Sequence, residues 1–177
     1  ITGIAKGAGM IKPNMATMLA YVFTDAKIEE RLIQSLLENA VNKSFNRITI
    51  DGDTSTNDSC LLTATGENSV QVTQDSTEFI EALDTVFISL AQGLIRDGEG
   101  ASKFVTVQVE EGASKEECLG LAFTVAESPL VKTAMFGNDA NWGRILSAIG
   151  RSPEVNDVSK TSIHLNGVPL AKNGNLH

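Results

Sequence analysis

Phe79, Ile80, Leu83, Val86, Phe87, Leu90, Ala91, Leu94 and Ile95 recur at helical spacing and form one broad apolar stripe. A stripe of this width packs a helix onto a sheet. It ends at the turn-prone Asp97-Gly-Glu-Gly100, so the chain must supply strands to receive it. Alternation predicts those strands at residues 19–24, 47–50, 60–65, 70–73, 104–110 and 131–136. A second amphipathic helix is expected over about residues 27–44, from Ile28, Leu32, Ile33, Leu36, Leu37, Ala40 and Val41. Ser114 with Glu117 makes a capping box for a helix over 115–127. Trp142 opens a short helix closed by Gly150, and Asn166-Gly167 is a two-residue hairpin signal between 161–165 and 168–170. Paired strands interleaved with helices define an α+β chain with mixed sheets, without the doubly wound nucleotide-binding pattern.

Charge narrows the partners. Fourteen basic against 22 acidic residues leave a net charge of −8, a field that repels nucleic-acid backbones and anionic lipid. No apolar run is long enough to span a bilayer, and no secretory leader is recognisable. Cys60 and Cys118 make neither a disulfide framework nor a zinc site, so neither nucleic acid nor membrane is expected as a partner, no metal or cofactor is expected, and the expected compartment is the cytoplasm. The chain opens at Ile1 without an initiator Met, and is expected to be a fragment or a processed piece.

Several chemical motifs fail residue by residue. Gly7-Ala-Gly9 lacks the third glycine of a dinucleotide fingerprint, since Lys12 stands there. Asp51, Asp53, Ser55 and Asn57 mimic a calcium loop, but Thr56 replaces its glycine and Leu62 its closing glutamate. The carboxylates of this turn read instead as acceptors for backbone donors. The two histidines, His164 and His177, sit in no nucleophile signature, and His164 is expected half-buried in a strand. Asn141, Trp142 and Arg144 read as a helix N-terminus with the indole packed at its base.

The opening segment from Lys6 to Leu19 is different. It is rich in small residues and Met, Pro13 stiffens it, and Thr17 stands just before a strand. Spacing alone favours a glycine-rich turn feeding an edge strand. The sharper reading makes Thr17 a nucleophile that cuts the Ala16–Thr17 peptide bond. The freed α-amine, with a reference pKa of about 7.7–8.0, then serves as base for its own hydroxyl, so no histidine is needed.

This segment resembles the self-cleavage region of the ornithine acetyltransferase (glutamate N-acetyltransferase) family of arginine biosynthesis. Three further blocks match in order: residues 44–58 (SFNRITIDGDTSTND), residues 97–104 (DGEGASKF) and residues 136–145 (FGNDANWGRI). The resemblance implies an α+β, self-processing, N-terminal-nucleophile enzyme. Thr17 matches the nucleophile, Ala16 and Thr17 the autolysis site, and Lys6, Thr17 and Glu99 substrate-binding positions. Residues 1–16 would then end the first chain of the processed enzyme and 17–177 would form most of the second, both incomplete. The oxyanion-stabilising Thr-Gly pair and the C-terminal substrate contacts would lie outside this sequence.

The implied reaction is ping-pong acetyl transfer from N-acetylornithine to glutamate through an acetyl-Thr17 ester, by an α2β2 assembly. Lys6 is assigned to the α-carboxylate shared by both substrates and Glu99 to the ornithine side-chain ammonium. Acetyl-CoA as a further donor stays open, and the absence of a nucleotide-binding signature leans towards the recycling reaction alone. The alternatives are a related acyltransferase of the clavulanate-pathway type, a self-processing aminopeptidase with the same nucleophile, and a non-catalytic interaction module.

Overall fold

The computed structural model describes residues 1–12, 18–155 and 157–176. It divides into two units, Ile1–Ala101 and Ser102–His177, each with its own apolar core.

In the first unit a three-stranded sheet runs in the order β1 (Thr2–Lys6), β2 (Leu19–Thr24), β4 (Ser59–Ala64). β1 pairs antiparallel with β2, and β2 parallel with β4. A two-stranded parallel ribbon joins β3 (Lys27–Ile28) to β5 (Gln71–Val72). The inner face of the sheet presents Ala20, Val22 and Leu62 to the core. Onto it pack α1 (Glu30–Lys43) and the long α2 (Thr77–Arg96), whose Leu83, Phe87, Ala91 and Leu94 are buried as the stripe requires. Phe87 is fully buried and meets Phe45 edge to face, with ring centroids 5.7 Å apart. α2 lies close on β1: a Cβ added at Gly3 would come within 2.9 Å of a Leu90 methyl. The opposite face carries a cross-strand row, Ile4–Tyr21–Leu61, that is partly exposed in this chain.

The second unit holds α3 (Lys115–Ala126), α4 (Pro129–Phe136), α5 (Trp142–Gly150) and an antiparallel sheet of β6 (Ile163–Leu165), β7 (Val168–Lys172) and β8 (Asn175–Leu176). The capping box forms: Ser114 accepts the Glu117 N–H, while the Glu117 carboxylate accepts from Ala113. Asn166 and Gly167 both take positive φ, as the hairpin turn demands. Val125, Val131, Ala148, Ile149, Ile163 and Ala171 form the core, with Trp142 packed against it.

Five local expectations are corrected. Residues 131–136 are helical, because Ser128 caps and Pro129 opens α4. Residues 104–110 join none of the three sheets; alternation marks a face, but a strand also needs a neighbour to bond, and Phe104 and Val105 are exposed. Residues 47–50 form no strand. Phe45–Arg47 is a short 3-10 turn, closed by the bond from the Arg47 N–H to the Ser44 carbonyl, and the Ile50 N–H is claimed by the Ile11 carbonyl. α1 starts at Glu30, since Lys27 and Ile28 pair with β5. His164 is exposed, being on the outer face of a terminal hairpin.

Candidate functional site

Lys6 ends β1, and the chain then turns through Gly7-Ala-Gly9. Alongside runs the C-terminal part of α2. Between them lies a pocket of about 630 Å³ whose polar groups are Lys6, Ser89 and Asp97. Gly93 stands on the same face of α2, and a Cβ there would meet nothing within 4 Å. Ser89, Gly93 and Asp97 are spaced four apart, so one helical face supplies a hydroxyl, an opening and a carboxylate in turn. One cation and one carboxylate lining the same glycine-rich pocket suit a small amphoteric molecule.

The 97–100 turn is fixed to this corner. The Glu99 N–H donates to the Ala8 carbonyl at 3.1 Å, the Asp97 N–H to Gly93 at 3.0 Å and the Gly98 N–H to Ile95 at 3.3 Å. At Gly98 a Cβ would stand 2.9 Å from an Ile50 methyl and 3.2 Å from the Ile95 carbonyl oxygen, so a side chain there would make Ile50 and the turn give way. Gly100 adopts φ +69°, the left-handed region that favours glycine. The Glu99 backbone is therefore bonded two residues from Lys6. Its side chain is exposed and outside the pocket lining, which takes Asp97 instead. Sequence reading missed Asp97 and Ser89; the period-four run of small and polar residues on α2 was the signal available.

Beside the pocket mouth, residues 50–59 hold the chain on both sides of residues 13–17. Asp51 accepts from the Met10 N–H at 2.6 Å, the Ile11 N–H at 3.1 Å and the Asp53 N–H at 3.1 Å. Desolvation pushes its carboxyl upward, but these N–H donors outweigh it and hold it below the usual carboxylate range. Met10 sits at φ +55°, a left-handed conformation costing a non-glycine residue about 1–2 kcal/mol. Asp58 accepts the Met18 N–H at 2.5 Å, while burial of the carboxyl pushes it upward. The acidic turn thus serves backbone donors, as its composition suggested. Ala16 and Thr17, the expected autolysis site and nucleophile, lie outside the described residues.

The third motif, residues 136–145, links two helices. Gly137 caps α4, and Asn138 turns the chain at φ +55°. Asn141 caps α5 by accepting the Arg144 N–H, and the Arg144 guanidinium donates to the Leu130 carbonyl and Thr133 hydroxyl of α4. Cys60 is a free thiol whose pKa burial pushes up to about 11, away from nucleophilic use. No group of His, Cys, Asp and Glu able to hold a metal occurs among the described residues. No helix among them is long and apolar enough to cross a membrane.

These features define an α+β protein with a polar pocket where a strand end, a helix and a glycine-flanked acidic turn meet. A model of the ArgJ family matches residues 1–177, and the chain belongs to that family. The arginine biosynthesis bifunctional proteins ArgJ of Pseudomonas syringae pv. tomato and Pseudomonas fluorescens are 53% and 52% identical to it over 181 residues. That alignment covers 98% of this chain but 44% of either relative, so the chain spans less than half the length of the curated relatives it matches. The crystal structure of arginine biosynthesis bifunctional protein argJ from Bacillus halodurans aligns with a TM-score of 0.83 at 40% identity, covering 89% of this chain and 76% of that one. The expected α+β fold is the fold observed.

Proposed function

We propose that the protein to which this chain belongs transfers the acetyl group of N-acetylornithine to glutamate, after cleaving its own Ala16–Thr17 bond. The observation that carries the proposal is that Lys6 and Asp97 line one pocket and the Glu99 N–H is bonded to Ala8 in its wall, with Thr17 eleven positions after Lys6 in the sequence. The relatives' name places them in arginine biosynthesis, and each of the two proposed substrates carries both a carboxylate and an ammonium group.

In the first half-reaction the Thr17 hydroxyl attacks the acetyl carbonyl and its proton passes to the Thr17 α-amine. The carbon–nitrogen bond breaks, the departing amine takes that proton, and ornithine leaves. In the second, the α-amine of glutamate attacks the acetyl-Thr17 ester and the carbon–oxygen bond breaks. N-acetylglutamate departs as the Thr17 hydroxyl regains a proton. Lys6 pairs with the α-carboxylate in both halves. Asp97 lines the pocket and Glu99 follows two residues on, in the turn bonded to Ala8, so the ornithine ammonium is assigned to these two carboxylates. Asp97, which does line the pocket, repels the glutamate side-chain carboxylate unless water-filled space separates the two. Donors to the oxyanion, worth a few kcal/mol in such reactions, are assigned to the part of the relatives that this chain does not span. The relatives are named bifunctional, so a second activity with acetyl-CoA as donor is carried as the alternative beside this transfer, and an α2β2 assembly in the cytoplasm is the proposed state.

Denaturing intact mass of protein expressed from the complete gene tests the first step. Two fragments, one beginning at Thr17, are expected, and Thr17→Ala should give one uncut chain without transferase activity. Normal turnover by that variant would overturn the mechanism. Release of free acetate in place of N-acetylglutamate would turn the assignment to a hydrolase.

A further inference from the structure

We propose that Asp51 and Asp58 are positioning residues for the self-cleavage assigned above to Ala16–Thr17, gripping the chain on either side of residues 13–17. The inference rests on that reading and adds to it the parts that hold the cleavage segment.

The grip has two halves. Upstream, Asp51 takes the Met10 and Ile11 N–H groups, the Ile50 N–H bonds the Ile11 carbonyl at 2.7 Å, and the Thr54 hydroxyl reaches the Lys12 carbonyl at 3.3 Å. Downstream, Asp58 takes the Met18 N–H, and the Ser59 N–H bonds the Met18 carbonyl at 3.1 Å. Ile11 and Met18 are 0% and 3% exposed, so each half also carries an apolar anchor. Both sides are therefore held by one short turn, though residues 10–12 and 18 are separated by the segment that is to be cut.

Two details argue for more than a generic loop contact. Met10 is kept left-handed by the Asp51 bonds, which is conformational strain spent at this position. The second oxygen of Asp58 is buried and has no partner among the described residues, which leaves the Met18 N–H as its carboxylate's bond there. The nitrogen of Met18 is the atom bonded to the Thr17 carbonyl carbon, so Asp58 holds the peptide adjoining the proposed nucleophile. Restricting both ends of a short segment removes much of the orientational search before an intramolecular attack. After scission each new end keeps its own set of bonds to the same turn.

The test follows self-cleavage of the complete protein over time by denaturing mass, with thermal melts alongside. Asp58→Ala and Asp51→Ala should each slow cleavage about tenfold or more. Asp58→Asn keeps a carbonyl oxygen for the Met18 N–H and should stay within about threefold of the parent. Cleavage by Asp58→Ala at the parental rate would overturn the proposal, and so would Asp58→Asn being as slow as Asp58→Ala. Should the alanine variants fail to fold, amide exchange in a Thr17→Ala background carrying Asp51→Asn decides: that change leaves one acceptor oxygen for the Met10, Ile11 and Asp53 N–H groups, so faster exchange at Met10 or Ile11 is expected, and unchanged exchange contradicts the grip. If Thr17→Ala itself still cleaves, the nucleophile assignment fails, and amide exchange still reports on the grip independently.

Discussion

Gly93 offers a perturbation whose effects on stability and on binding should have opposite signs. It lies inside α2, where glycine costs a helix about 1 kcal/mol relative to alanine. A Cβ placed there meets no atom within 4 Å, so Gly93→Ala recovers that propensity without a clash. In a cooperative unit of about 150–250 residues this corresponds to a rise in Tm of about 2–4 °C, and to less in the longer complete protein. Leucine has nearly the same propensity, so Gly93→Leu should keep most of the gain. Its side chain, however, would project into the pocket of about 630 Å³ beside Lys6, Ser89 and Asp97. If that pocket receives the amino-acid substrates, Gly93→Leu in the complete protein should raise KM for both by about tenfold or more, with self-cleavage intact. Calorimetry and steady-state kinetics on the same preparations read the two effects. A Gly93→Leu enzyme with parental KM would refute the assignment of the pocket, and a destabilised Gly93→Ala would refute the open space around the helix.

Other outcomes follow from the same geometry. Lys6→Ala should raise KM for both N-acetylornithine and glutamate, and an effect on only one would refute its pairing with their shared carboxylate. Phe87→Ala removes a fully buried ring and its contact with Phe45, and should cost about 3–5 kcal/mol by denaturant titration. The two turn carboxylates should differ in their pH response. Asp51 is held below its ordinary value of 3.8, so its contribution is present above that pH and is lost as pH falls through the lower folded value. Asp58 is raised, so its contribution grows as pH falls through the folded value towards 3.8. Melts across the acid range should show Asp51→Asn removing acid sensitivity and Asp58→Asn increasing it; identical profiles would contradict the assignments.

Much of the frame was legible because it rests on local rules. The stripe of α2, the Ser114–Glu117 box and the Asn166-Gly167 turn each follow from contacts a few residues long. What misled was pattern without a partner. Residues 104–110 alternate well, yet they join none of the sheets among the described residues. Residues 131–136 are apolar in a way that period alone cannot divide between strand and helix, and the deciding signal was Ser128-Pro129 just before them. At the site, Lys6 and the 97–100 turn were visible as residues, but their meeting depends on the Glu99–Ala8 bond, which no spacing reveals. The role of Asp51 as an acceptor was readable from composition. That its donors are Met10 and Ile11, some forty positions away, was not.

The acetyl-Thr17 ester is the centre of the proposed chemistry, and trapping it is the direct test. The complete protein, incubated with N-acetylornithine and no glutamate, would be denatured in acid and its fragments weighed. The fragment beginning at Thr17 should be heavier by one acetyl group, mapped to Thr17 by fragmentation and lost on adding glutamate. An unmodified fragment in an enzyme that still turns over, or an acetyl group on any other residue, would contradict it.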